Sequence, residues 1–191
     1  MAVGKKETRK RLNSTIFATN YSTNHTIDVS GKKENFTFNE IITLDVTKPT
    51  KSYTANGKNI VITKAYLVIN KNKNLISLKN IKYDKNKETI KFKFDKPLPK
   101  GIAYLELDCI GHYGDVSGLY LSKYSGRDGK NEYMATTQFE ASDARMAFVC
   151  EDEPEAKATY DIALTLDKKL KAISNMPEKE RETKLAELRM E

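Results

Sequence analysis

Apolar residues in this chain recur at every second position, and that period confines it to strands. In the stretch 89–95, Thr-Ile-Lys-Phe-Lys-Phe-Asp, Ile90, Phe92 and Phe94 fall on one face while Lys91 and Lys93 fall on the other. A helix presents one face at spacings of three and four, so such a run half-buries itself only as a strand. The same alternation predicts strands over 15–29 (with a break), 37–46, 60–69, 75–83, 89–94, 102–110, 118–124, 132–139 and 159–166. Turn chemistry separates them: Ser30-Gly31, Asn56-Gly57, the polar runs 70–74 and 84–87, and the Pro- and Gly-bearing run 97–101. Asp128-Gly129 suits a tight hairpin between the strands at 118–124 and 132–139. Short strands at this spacing predict an all-β fold, an antiparallel sandwich or curved open sheet.

Two segments break the rhythm. Residues 142–148, SDARMAF, are predicted to form one helical turn with Ser142 as its N-cap. Residues 177–191, PEKERETKLAELRME, combine Pro at a first helical position with alternating acids and bases, which predicts a C-terminal helix or a charged tail. The expected organisation is a basic segment over 1–10, one β domain over 11–176 and the tail over 177–191.

Several function classes fall away on composition. Residues 1–100 carry 21 Lys+Arg against 8 Asp+Glu, and residues 101–191 carry 12 against 18. A basic half suggests nucleic acid, yet its lysines alternate with apolar residues along strands and no aromatic–basic stacking motif accompanies them. A solvated sheet face is the better reading, so nucleic acid is not the expected partner. No apolar run reaches the roughly 18 residues that a membrane helix requires, so no membrane partner is expected. The N-terminal stretch lacks a secretory h-region, which favours a cytoplasmic protein. The two cysteines, Cys109 and Cys150, sit among apolar neighbours and form no CxxC pair. Buried free thiols are expected, with a bridge between them the alternative. The two histidines, His25 and His112, have no metal-ligand spacing, and HExxH is absent, so no metal site is expected in this chain.

The chemistry-bearing residues crowd into 134–154, MATTQFEASDARMAFVCEDEP. Gln138, Glu140, Asp143, Arg145, Asp152, Glu153 and Pro154 stand there beside the apolar anchors Met134, Phe139, Met146 and Phe148. In extended chain, Gln138 and Glu140 share one face, either as an exposed polar pair or as a binding pair. Asp143 and Arg145 are expected to pair with each other or to cap the helical turn. Asp152, Glu153 and Pro154 read as a turn that redirects the chain. Adjacent carboxylates seldom face one site, so scaffolding is expected of Asp152 and Glu153 rather than acid–base work.

This segment resembles the N-terminal domain of the gluzincin zinc aminopeptidases, the family of aminopeptidase N and puromycin-sensitive aminopeptidase. MATTQFEASDAR resembles the family's ATTQFE.TDAR, and AISNMP at 172–177 recurs at the matching distance. The opening, from Arg11 to Val46, resembles the family's first strands more loosely: Asn13 replaces a usual Pro, and Glu40 stands where Gly is typical. The family's FPCFDEP reads Phe148-Val-Cys-Glu-Asp-Glu-Pro154 here, with Val149 for Pro and Glu151 for an apolar anchor.

The resemblance implies a saddle-like β domain that packs on a zinc-binding catalytic domain, in a longer parent or a separate chain. It implies that Glu140 holds the ammonium of a peptide N-terminus and that Gln138 lines the pocket for its first side chain. The zinc helix and substrate loop of the family are not in these residues. The expected function is substrate recognition for a metallo-aminopeptidase, inactive alone, with no catalytic residue and no cofactor in this chain. A non-catalytic β-sandwich binding protein derived from such a domain is the alternative.

Overall fold

The computed structural model describes residues 11–180. Residues 1–10 and most of the tail, on which a C-terminal helix is expected, lie outside them. The described part of that tail, 177–180, holds no helix.

The chain is nearly all strand, as the period of two demands. The main sheet has six strands in the order β11-β1-β2-β8-β4-β5, comprising β1 (Ile16–Thr26), β2 (Asn35–Val46), β4 (Ile60–Ile69), β5 (Asn72–Leu75), β8 (Gly101–His112) and β11 (Thr159–Thr165). A three-stranded sheet orders β3 (Thr50–Asn56), β7 (Thr89–Leu98) and β6 (Ile81–Asp84) as β3-β7-β6. The third unit is the hairpin of β9 (Gly118–Ser125) and β10 (Asn131–Gln138).

Register explains which face is buried. Across the main sheet Tyr21 pairs with Ile42, Ile42 with Leu105 and Leu105 with Leu67, and all four are buried. The three-stranded sheet adds Tyr53, Ala55, Ile81, Ile90, Phe92 and Phe94 to the same buried cluster. Each buried Ile, Leu or Phe side chain there contributes on the order of 1.5–3 kcal/mol by leaving water. The sheets close on each other as a sandwich whose core runs between them.

Three features depart from the alternation reading. The expected strand over 75–83 is two short strands, β5 and β6, separated by a 3₁₀ turn at Leu78–Asn80. β5, Asn-Lys-Asn-Leu, is wholly exposed at the sheet edge, so its polar composition hid it among turn residues. β3 was not legible because only Tyr53, Ala55 and Asn56 of its seven residues are buried. β11 also breaks the antiparallel expectation, pairing with β1 in parallel from Asn20–Thr159 to Thr26–Thr165.

The hairpin is fixed at two places. A Cβ added at Gly31, which has φ +72°, would lie 2.3 Å from the Tyr133 ring, so β10 packs directly over the β1–β2 turn. At the hairpin base, Gly118 has φ +71° and faces Met146 so closely that an added Cβ would sit 2.5 Å from the Met146 Cβ. Glycine is required there on both counts.

Candidate functional site

β10 ends opposite Gly118, the residue that packs against Met146. Gln138 is the last residue of β10 and pairs with Gly118. Phe139 then turns inward, half-buried, with its ring edge-on to Phe148 at 6.1 Å. The Asp143 N–H donates to the Phe139 carbonyl (2.9 Å), which bends 140–143 into a turn. Glu140 therefore lies in that turn, beyond the strand that holds Gln138. Both side chains are exposed, and neither makes a hydrogen bond or ion pair within the described residues.

The expected helical turn is a 3₁₀ turn over Ala144–Met146. Its first flanking residue is Asp143, not Ser142, and Asp143 gives it no side-chain cap. Nor does Asp143 pair with Arg145. The Arg145 guanidinium instead donates from Nε to Asp152 Oδ2 (2.9 Å), from Nη1 to Glu88 Oε2 (3.2 Å) and from Nη2 to the Asp152 carbonyl (3.3 Å). Lys58 Nζ reaches the other Glu88 oxygen at 2.7 Å. Hydrogen bonds from Lys58, and the Lys58 and Arg145 charges, hold the Glu88 carboxyl below its ordinary range. Sequence reading missed Glu88 because it lies in a turn 57 positions from Arg145. Asp152 and Glu153 each tie their segment to another part of the chain: the Asp152 N–H donates to Asn56 Oδ1 (3.0 Å), and Glu153 accepts from the Leu12 N–H (3.4 Å). Pro154 follows in the turn that leads to β11.

The four departures from the family pattern meet in pairs. The Asn13 amide donates to Glu151 Oε1 (3.3 Å) and to the Thr54 carbonyl (2.7 Å), while its Oδ1 accepts from the Thr54 N–H (3.0 Å). Glu151 Oε1 also accepts from the Ala18 N–H (3.0 Å). The second pair joins Glu40 to Val149, whose N–H donates to Glu40 Oε2 (3.1 Å). A Pro at position 149 has no N–H to give, so the buried carboxyl and the non-proline residue belong together. Burying Glu151 in place of an apolar anchor is thus met with partners, as a buried polar group requires.

The profile of the Peptidase M1 N-terminal domain matches residues 18–190. The chain belongs to this family. Among its relatives, aminopeptidase 2 of Candida albicans is 40% identical over 151 residues, covering 77% of this chain and 16% of that protein. Puromycin-sensitive aminopeptidase of Caenorhabditis elegans is 30% identical over 157 residues, covering 81% and 16%. Aminopeptidase N of Acetobacter pasteurianus is 32% identical over 168 residues, covering 87% and 45%. The chain thus spans about a sixth of the length of the first relatives it matches.

The His and Cys side chains of this M1 N-terminal domain have other surroundings than a metal centre among the described residues. Among the described residues no group of three His, Cys, Asp or Glu side chains converges as metal ligands would. His25 is committed elsewhere: its Nε2 bonds the Ala147 carbonyl at 3.0 Å, its ring stacks on Phe38 at 5.0 Å, and burial lowers its pKa. Both cysteines are buried free thiols with raised pKa, chiefly from burial.

Glu40 makes the stability of the domain depend on pH. It is 1% exposed, one oxygen has no partner, and burial pushes its pKa well above the carboxylate range. Folded protein keeps the proton where unfolded chain has released it. The contribution of Glu40 is therefore fully present below the unfolded pKa of about 4.3 and is lost as pH rises toward the folded value, at about 1.4 kcal/mol per pH unit at most. Glu40→Gln retains an acceptor for Val149 and removes the titration. Urea unfolding between pH 5 and pH 8 should show the variant gaining on the native protein as pH rises; parallel pH profiles would reject this account of Glu40.

Proposed function

We propose that this domain supplies the substrate-recognition wall of a metallo-aminopeptidase, with Glu140 taking the ammonium of a peptide N-terminus and Gln138 contacting the first side chain. One observation carries this reading: an exposed carboxylate without an internal partner among the described residues stands directly beside Phe139, whose half-buried ring packs against the core and edge-on to Phe148. A surface acid on a mobile side chain gains little from such anchoring, whereas a residue that must meet a charged substrate group gains fixed placement. The zinc and the general base would come from a catalytic domain in a longer parent or a separate chain, so the domain alone is inactive. The unbridged thiols at Cys109 and Cys150 suit a reducing compartment, and we place the domain in the cytoplasm.

The test replaces the matching segment of the Candida albicans aminopeptidase 2 with this chain and assays aminoacyl fluorogenic substrates. The isolated chain should carry no stoichiometric zinc and show no turnover. In an active chimera, Glu140→Ala should lower kcat/KM by about 30-fold, equivalent to about 2 kcal/mol of transition-state binding. Unchanged kcat/KM would reject the role of Glu140, and chelator-sensitive turnover by the isolated chain would reject dependence on a catalytic partner.

A further inference from the structure

Residues 147–151 run buried between β3 and the main sheet and are stitched to both. Toward β3 the stitching is backbone: Cys150 and Asn56 exchange two hydrogen bonds, of 2.7 and 3.2 Å. Toward the main sheet it runs through side chains. The Val149 N–H donates to Glu40 Oε2 of β2, the Glu151 N–H donates to the Tyr21 hydroxyl of β1 (2.9 Å), and the Ala147 carbonyl bonds His25 Nε2 of β1. Phe148, in the middle of this strap, meets Tyr21 at 5.9 Å and Phe139 at 6.1 Å, both edge-on. Phe139 directly precedes Glu140, and its carbonyl closes the 140–143 turn. The bonds that hold the strap therefore hold the packing beneath Glu140.

Glu40 is the stitch that can come undone. Its second oxygen is buried with no hydrogen-bond partner among the described residues. The titratable groups that face it are Tyr21 from β1, Cys109 from β8 and Cys150 from the strap, each neutral or negative. An ionised carboxyl in that setting has one donor, the Val149 N–H, for two charged oxygens, and water reaches the other oxygen only where the strap lifts. We propose that Glu40 is a positioning residue for Glu140: its protonated carboxyl holds residues 147–151 down, and its ionisation releases them, so that the Phe148–Phe139 packing beneath Glu140 loosens as pH rises. This rests on the recognition role proposed above for Glu140. Burial raises the pKa of Glu40 under the closed strap, whereas an open strap returns it to about 4.3. Opening therefore grows by about tenfold per pH unit from about 4.3 up to the folded value. His25 has the opposite sign: burial lowers its pKa, so an opening that exposes it is favoured as pH falls below about 6.5.

Amide hydrogen exchange of the 191-residue chain and of Glu40→Gln, followed by NMR from pH 5 to pH 8, tests this. The variant keeps an acceptor for Val149 and cannot ionise. The ratio of native to variant rates thus isolates Glu40 from His25 and from the intrinsic pH dependence of exchange. At Val149 that ratio should climb by about tenfold per pH unit. At Asp143, whose N–H donates to the Phe139 carbonyl, it should climb in parallel. Leu105, buried at the centre of the main sheet, should stay better protected than Val149 throughout, since the strap opens without the sheet. If Glu40→Gln does not fold, the native chain decides between about pH 6.5 and pH 8, where His25 is neutral in both states and protection of Val149 should fall. A ratio or a protection that stays flat with pH, equal protection of Val149 and Leu105, or a response at Val149 that Asp143 does not share would each overturn the proposal. No readout involves a substrate, so this result and the dependence of kcat/KM on Glu140 stand or fall separately.

Discussion

Arg145→Ala should destabilise the domain by about 3 kcal/mol and lower its Tm by about 6–12 °C. The guanidinium is only 12% exposed and joins three separate turns: its own, the one at Asp152 and the one at Glu88. Removing it strands the Asp152 carboxylate, itself only 15% exposed, beside an apolar methyl group. A broken pair in that setting costs more than an intact one contributes, because the remaining charge keeps its desolvation penalty. Arg145→Lys should recover less than half of the loss, since one ammonium cannot span Asp152 Oδ2, the Asp152 carbonyl and Glu88 together. Acid should shrink the difference between Arg145→Ala and the native protein. The Glu88 carboxyl has a lowered pKa, so its contribution is present above the unfolded pKa and is lost as pH falls through the folded value. Thermal melts at pH 7 and pH 3.5 check both statements; a pH-independent difference would assign Arg145 a packing role alone.

Glu151→Ala should cost a comparable amount, about 3 kcal/mol. Glu151 is 8% exposed and accepts from the Ala18 N–H and the Asn13 amide. Ala18 lies just before the stretch of β1 that β11 covers, which begins at Asn20. Truncation leaves that N–H and one amide hydrogen buried without acceptors, at about 1–3 kcal/mol for an unsatisfied group. A double-mutant cycle with Asn13→Ala separates the pair from its surroundings. The coupling energy should be about 1 kcal/mol favourable, so that the double variant loses less than the two single losses combined. Strictly additive losses, measured by urea unfolding, would mean that the two departures from the family pattern only happen to be neighbours. Burial raises the Glu151 pKa, as it does that of Glu40, so both groups oppose stability as pH rises from about 4.3. His25 works in the opposite sense: kept neutral by burial, it costs stability as pH falls below about 6.5.

Most strands were legible because their residues face one core and so carry the alternation in full. β2 is the clearest case, with Phe36, Phe38, Glu40, Ile42, Leu44 and Val46 buried and the residues between them less so. β5 and β3 were not, and the reason is position. An edge strand such as β5 buries nothing, and a short strand such as β3 buries too little to show a period. The parallel pairing of β11 with β1 was also beyond reach, because local alternation carries no information about a neighbour 139 positions away.

At the candidate site the sequence marked the segment but not its wiring. Gln138, Glu140 and the scaffold of Arg145, Asp152, Glu153 and Pro154 stood out through their crowding and their family resemblance. The sequence also offered Asp143 as a partner for Arg145, because adjacency along the chain was the only proximity available to it.

The sequence by itself determined that this chain is built from strands, that its face of alternate apolar residues is the core, and that it belongs with the M1 N-terminal domains. Those properties follow from side-chain period and local identity, which are written residue by residue. Only the tertiary structure decided that Asn13 meets Glu151, that Glu40 meets Val149, and that Glu88 answers Arg145. These contacts close loops of 57 to 138 positions. They depend on desolvation and hydrogen-bond geometry, which exist only once the sheets have packed.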